Sequence, residues 1–150
     1  MTDAELRELY RDTSTIAVVG CSLNWAKPSA VVPAYMRSEG YRIVPVNPTE
    51  PEILGEPCRA SLAEISEPVD IVNVFRPAAE APAIARATVE LGARCLWLQT
   101  GIVSAEARAI AEGGGLSYVE DNCIGITHGE LGLGAGVAAW KADQEAKRTV

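Results

Sequence analysis

Short apolar runs alternate with longer amphipathic stretches along most of the chain. Thr15-Ile16-Ala17-Val18-Val19, Tyr41-Arg42-Ile43-Val44-Pro45-Val46, Val69-Asp70-Ile71-Val72-Asn73-Val74-Phe75, Arg94-Cys95-Leu96-Trp97-Leu98 and Leu116-Ser117-Tyr118-Val119 predict five strands. The first, rich in β-branched residues, suits a strand buried on both faces. Between the first two runs, Val31, Val32, Tyr35 and Met36 recur at helical spacing and Gly40 follows as a stop signal. A helix over 79–91 ends at Gly92, and another over 104–112 ends at Gly113-Gly114-Gly115. Thr2-Asp3-Ala4-Glu5 has capping-box spacing ahead of Leu6, Leu9 and Tyr10, which predicts a short N-terminal helix over one edge of the sheet. The proline-rich 50–59 segment predicts an irregular excursion, after which Ser61-Leu62-Ala63-Glu64 repeats the capping-box spacing at the start of a further helix. Such alternation predicts an α/β fold, a doubly wound, mostly parallel five-stranded sheet with helices on both faces. No internal repeat is visible. After Gly129, three spaced glycines precede Ala138-Ala139-Trp140 without a clear element, so the 129–150 tail is expected either to pack as a helix against a second subunit or to be mobile.

A length of 150 residues fits one domain over 1–150. The net charge of −7, with no clustered basic face beyond Lys141, Lys147 and Arg148, excludes nucleic acid and anionic membrane surfaces as expected partners. Any anionic ligand must then be held by local donors against the field of the whole protein. Cys21, Cys58, Cys95 and Cys123 form no Cys-x-x-Cys pair and accompany a single histidine, so they read as reduced thiols rather than a zinc site. The polar, acidic N-terminus is unlike a signal peptide, and no apolar run approaches membrane-spanning length, so the expected compartment is the cytoplasm.

Ligands of doubly wound sheets lie beyond the carboxyl ends of the strands, where strand order reverses. That rule gathers the 20–29 loop, Asn47-Pro48, Phe75-Arg76-Pro77, Gln99-Thr100-Gly101 and the 121–125 turn on one rim. Gly20 permits a tight exit from the first strand, and Ser22, Lys27 and Ser29 surround the start of the next helix, where unpaired N–H groups and the helix dipole favour an anion. Pro28 fits the first helical turn. The loop lacks the spaced glycine triplet of dinucleotide enzymes, and the second strand ends Val46-Asn47-Pro48 instead of in the carboxylate that holds an NAD ribose. An NAD-type oxidoreductase is therefore the third reading.

Residues 16–29, the run Gly40-Tyr41-Arg42-Ile43-Val44-Pro45-Val46-Asn47-Pro48, residues 69–76 and Trp97-Leu98-Gln99-Thr100-Gly101 together resemble the small stand-alone coenzyme A-binding proteins of bacteria and archaea. The resemblance spans nearly all of 5–128. Those proteins look like the N-terminal CoA-binding domain of the succinyl-CoA synthetase α subunit, a Rossmann-like fold, and Asn122-Cys123-Ile124-Gly125 is similar to its Asn-Cys-Pro-Gly turn, with Ile124 in place of proline. What the resemblance implies is CoA held across the carboxyl rim, its diphosphate against Gly20, Cys21, Ser22, Lys27 and Ser29. Asn47 and Pro48 then line the adenosine side, Val74, Phe75, Arg76 and Pro77 flank the ribose or the pantetheine arm, and Gln99, Thr100 and Gly101 form the next wall. Asn122 and Cys123 complete the rim. Lys27, Arg59 and Arg76 are the candidate cations for the 3′-phosphate.

The synthetase also needs a phosphohistidine domain and a nucleotide-binding subunit, so the expected function is to hold CoA or a short acyl-CoA without catalysis, as carrier, sensor or detached module, alone, as a homodimer or within a larger acyl-CoA assembly. The alternative is an enzyme of acyl-CoA or CoA-thiol chemistry that uses Cys21, Cys123 or His128. Both cysteines are placed on the rim, where a helix N-terminus lowers a thiol pKa and a mixed disulfide with CoA is conceivable. The plainer reading makes them small residues packed in tight turns. For His128 a surface or structural role is expected, for Trp97 a core position, and for Trp25 partial exposure over the ligand.

Overall fold

Each apolar run becomes a strand of one parallel sheet, and each interval supplies the crossover that parallel pairing requires. The computed structural model describes residues 1–148. In chain order the elements are α1 (Asp3–Asp12), β1 (Thr15–Val19), α2 (Pro28–Ser38), β2 (Arg42–Val46), β3 (Glu52–Ile53), β4 (Glu56–Pro57), β5 (Ile71–Val74), α3 (Ala81–Leu91), β6 (Cys95–Leu98), α4 (Ala105–Gly113), β7 (Ser117–Val119), α5 (Ile124–Glu130) and α6 (Val137–Arg148). The sheet order is β2-β1-β5-β6-β7, with every neighbouring pair parallel, as in a Rossmann-like fold.

Strand side chains alternate between two apolar layers. Ile16, Val18, Ile43, Ile71, Cys95 and Trp97 pack with Leu9, Tyr10, Val32, Tyr35 and Ile124 from α1, α2 and α5. Ala17, Val44, Val72, Val74, Leu96 and Leu98 pack with Ala81, Ala85, Ala107 and Ala111 from α3 and α4. Burial on both faces is what makes these strands continuous apolar runs in the sequence. α1 begins with the expected reciprocal cap, the Thr2 hydroxyl accepting from Glu5 N–H at 3.1 Å and the Glu5 carboxylate from Thr2 N–H at 3.2 Å.

Three segments differ from the sequence expectation. The Ser61 spacing yields only a 3-10 turn at Leu62–Glu64, because Pro68 pushes the preceding residue out of helical conformation and β5 follows at once. Neither half of the box forms: Ser61 makes no capping bond, and the Glu64 carboxylate accepts instead from Ala60 N–H, one residue before the cap, at 2.9 Å. Within the irregular 50–59 stretch, β3 and β4 form a small antiparallel ribbon. The tail forms α6, which packs on α2 and α5 of its own chain; positions 149 and 150 lie outside the described residues. Trp140 anchors that helix with its ring 6.0 Å from Tyr35 and 5.9 Å from Trp25.

Candidate functional site

β1 lies between β2 and β5, so the chain leaves it toward one edge and later returns toward the other, opening a crevice at the carboxyl ends of β1 and β5. Gly20 makes the exit with φ +85°, and a Cβ there would stand 3.0 Å from Arg76 Cδ and 3.3 Å from the Phe75 carbonyl oxygen. Glycine thus lets the two loops touch. The 20–29 loop folds on its own hydrogen bonds: Ser22 N–H donates to the Ser29 carbonyl at 3.1 Å, the Ser22 hydroxyl accepts from Asn24 N–H at 2.9 Å, and the Asn24 side chain accepts from Ala26 N–H at 3.0 Å. Among the described residues, the N–H groups of Leu23, Trp25 and Ser29 are left without an acceptor, ahead of and at the first turn of α2. Trp25 is half-buried under α6, and its indole N–H is the one buried side-chain N or O without a partner among the described residues.

Under this loop lies a cavity of about 620 Å³. Lys27, Ser29, Val31 and Val32 border it from the α2 side, Phe75 closes the end of β5, and Gln99, Thr100 and Ile102 follow β6. Cys123 and Ile126 of the α5 region and Val137 and Lys141 of α6 complete the wall. Its surface is mostly apolar. Gln99 is 4% exposed, and its carbonyl oxygen accepts from Ile124 N–H at 2.9 Å and Asn73 Nδ2 at 3.0 Å. The Gln99 NH2 therefore meets the cavity with no protein acceptor among the described residues.

Of the rim residues singled out in the sequence, Lys27, Ser29, Phe75, Gln99, Thr100 and Cys123 line this cavity; Gly20, Cys21, Ser22, Asn47, Pro48, Val74, Arg76, Gly101 and Asn122 do not. Gly20 and Ser22 shape the loop behind it. Cys21 is buried, and burial, with a smaller contribution from Cys58, pushes its thiol up to about 12, which fits the plainer reading of a small packed residue and counts against an acidified thiol there. Asn47 is committed to the chain itself, its amide NH2 donating to the Cys21 carbonyl at 2.9 Å and its oxygen accepting from Thr49 and Glu50. Pro48 is exposed beside it, and Val74 is buried within the sheet. Gly101 N–H donates to the Asp121 carboxylate at 2.7 Å. Asn122 steadies α5, with its side chain accepting from the Thr127 hydroxyl and its carbonyl from Trp97 Nε1 at 2.8 Å.

The candidate cations separate in the same way. Arg76 pairs with Glu80 at 2.8 Å. Arg59 pairs with Glu67 at 2.9 Å, and Glu67 also meets Arg42 at the opening residue of β2, so the Arg59 guanidinium turns away from the carboxyl rim. Lys27 is exposed and makes no ion pair among the described residues. Sequence reasoning missed Val137 and Lys141; their four-residue spacing puts them on one helical face, but only once α6 is known to exist.

His128 is 3% exposed, with Nδ1 2.9 Å from the Tyr35 hydroxyl, which itself accepts from Gly136 N–H at 3.1 Å. This is the structural role, joining α2 to α5 and the approach to α6. Burial lowers the His128 pKa from 6.5, opposed in smaller part by Glu39. The unfolded chain then binds the proton more readily, so stability should be full above about pH 6.5 and decline as the pH falls below it. Denaturation at pH 7.5 and 5.5 checks this: His128→Gln, which keeps an acceptor for Tyr35, should lose less stability between the two than the parent, and equal losses would contradict it. No helix among the described residues is long and apolar enough to cross a membrane, and none of their His, Cys, Asp and Glu side chains gather in a group of three able to hold a metal ion.

The family model described as a CoA binding domain matches residues 14–129. A Bacillus subtilis relative, uncharacterized protein YneT, is 40% identical over 125 residues, covering 83% of this chain and 93% of its own. The ADP-forming acetate–CoA ligase I of Archaeoglobus fulgidus is 29% identical over 133 residues, and the chain spans only 19% of its length. Among solved structures, cell-free ID.343 of Thermus thermophilus is similar at 38% identity with TM-score 0.84, over 87% of this chain and 99% of its own. A hypothetical protein of Pyrococcus horikoshii OT3 is similar at 29% identity with TM-score 0.85, over 87% and 92%.

Proposed function

The chain belongs to the CoA-binding-domain family, and from that premise we propose that it holds CoA or a short acyl-CoA across the carboxyl rim without turning it over. One observation carries the reading: a mostly apolar cavity of about 620 Å³ opens beneath a loop that carries Lys27 and the N–H groups of Leu23, Trp25 and Ser29, which have no acceptor among the described residues. A polyphosphate head needs such donors, and a thin amide arm needs a mostly apolar groove with an occasional polar partner, for which the Gln99 NH2 is suited. The diphosphate is assigned to the loop around Lys27 and Ser29, and the pantetheine arm to the wall formed by Phe75, Gln99, Thr100 and Cys123.

The absence of turnover is inferred from two of the three groups that such an enzyme would use. The buried Cys21 thiol resists ionisation and the buried His128 is held by Tyr35, which leaves Cys123 as the one cavity-wall residue for the alternative of CoA-thiol chemistry. NAD is disfavoured because Asn47 offers the rim a neutral, already bonded amide. The four free cysteines fit a reducing compartment, and we assign the protein to the cytoplasm as a carrier, a sensor or a module of a larger acyl-CoA assembly.

Calorimetric titration with CoA, against NAD and ADP and then with acetyl-CoA, tests this. CoA should bind and NAD should not, with Lys27→Ala weakening CoA about tenfold through loss of one charge-assisted contact. Failure of CoA to bind would remove the reading, and heat that continues after saturation with acetyl-CoA would replace it with the enzymatic one.

A further inference from the structure

α6 begins eight residues beyond the last position matched by the family model, yet it supplies part of the cavity wall. We infer that Lys141 of α6 is a second anion-binding residue of the site, one that meets a phosphate or carboxylate group of the bound CoA or acyl-CoA. This rests on the reading of the ligand as CoA.

The placement of α6 is built into the fold. Gly125 allows Val137 to approach so closely that a Cβ on Gly125 would fall 2.5 Å from Val137 Cγ2. Gly129 does the same for Gly136, where an added Cβ would stand 2.6 Å from the Gly136 Cα. Gly136 N–H is bonded to the Tyr35 hydroxyl, and Trp140 lies between Tyr35 and Trp25. Val137 and Lys141 are consecutive turns of this pinned helix, and both reach the cavity.

Charge supplies the second argument. CoA carries a diphosphate and a 3′-phosphate, whereas the protein carries a net −7 and must attract them locally. Of the rim arginines, Arg76 is closed on Glu80 and Arg59 points elsewhere. Lys141 has only a loose pairing with Glu145 at 3.8 Å, longer than a hydrogen bond, and is half-buried beside apolar side chains, where an ion attracts an opposite charge more strongly than in open water. It is thus a weakly paired cation that, with Lys27, lines the cavity.

The test titrates the parent, Lys141→Met and Lys141→Arg with CoA, dephospho-CoA, acetyl-CoA and succinyl-CoA. Lys141→Met should weaken binding about tenfold or more, and Lys141→Arg should restore most of it. A loss confined to ligands with the 3′-phosphate assigns Lys141 to that group, a loss confined to succinyl-CoA assigns it to an acyl carboxylate, and a uniform loss assigns it to the diphosphate. Unchanged affinity of Lys141→Met for all four, with the parent binding CoA, overturns the inference and leaves the CoA reading intact, as does an equal loss in both variants, which marks packing rather than charge. A parent that binds none of the four overturns both.

Discussion

Trp97→Ala should lower the unfolding free energy by about 3–5 kcal/mol, a large share of the total stability of about 5–15 kcal/mol of a typical domain. Trp97 is fully buried on β6, its ring 5.7 Å from Tyr10, and its indole N–H donates to the Asn122 carbonyl at 2.8 Å. Alanine removes most of that side chain from a close-packed layer and strands a carbonyl. The damage is directed at the site, because Asn122 precedes Cys123 and Tyr10 donates to the neighbouring Ile124 carbonyl at 2.7 Å. Two aromatic side chains thereby hold the turn that carries Cys123 to the cavity wall. Trp97→Phe keeps most of the ring volume but loses the donor, and should cost about 1–3 kcal/mol. Urea denaturation of both variants checks this, and a loss below about 1 kcal/mol for Trp97→Ala would mean that the layer closes over the gap.

The strand-helix alternation was legible because parallel strands covered on both faces must be apolar throughout, so Ile16 to Val19 and Cys95 to Leu98 are read without knowing their partners. α6 was not legible for the opposite reason. Val137 and Trp140 are its main apolar anchors, and of the glycines before them, which resemble a linker in sequence, Gly134 is crowded by Tyr35 and Glu39 while Gly132 and Gly136 adopt positive φ. The Ser61 capping spacing was present, but a cap creates no helix where Pro68 and the next strand leave no room for one.

The rim itself followed from topology, and its individual members did not. A polar side chain at a strand end looks the same in sequence whether it faces a ligand or ties down a loop. Asn47, Asn122 and Asp121 prove to hold the backbone of the rim, while Arg59 and Arg76 are claimed by carboxylates whose identity depends on tertiary placement. Ser22 spends its hydroxyl on Asn24. The residues left with unused donors, Lys27, Ser29 and Gln99, are therefore a better guide to ligand contact than polarity alone.

Gln99 carries the second large effect, since one side-chain oxygen serves two buried donors. Gln99→Leu keeps the size of the side chain and leaves Ile124 N–H and Asn73 Nδ2 without that acceptor, which should cost about 2–4 kcal/mol. Adding Asn73→Leu removes one of the two stranded donors, so the double variant should be less destabilised than the sum of the single changes, a coupling visible in a double-mutant cycle. Purely additive losses would show that the shared oxygen contributes little. Gln99→Glu separates stability from binding. It retains an oxygen for Ile124 N–H and Asn73, so the fold should persist at neutral pH, but it exchanges the cavity-facing NH2 for negative charge. CoA affinity should then fall by more than tenfold while thermal unfolding changes little. Unaltered affinity in a folded Gln99→Glu protein would move the pantetheine arm away from this wall, even if Lys27 still bound the phosphates.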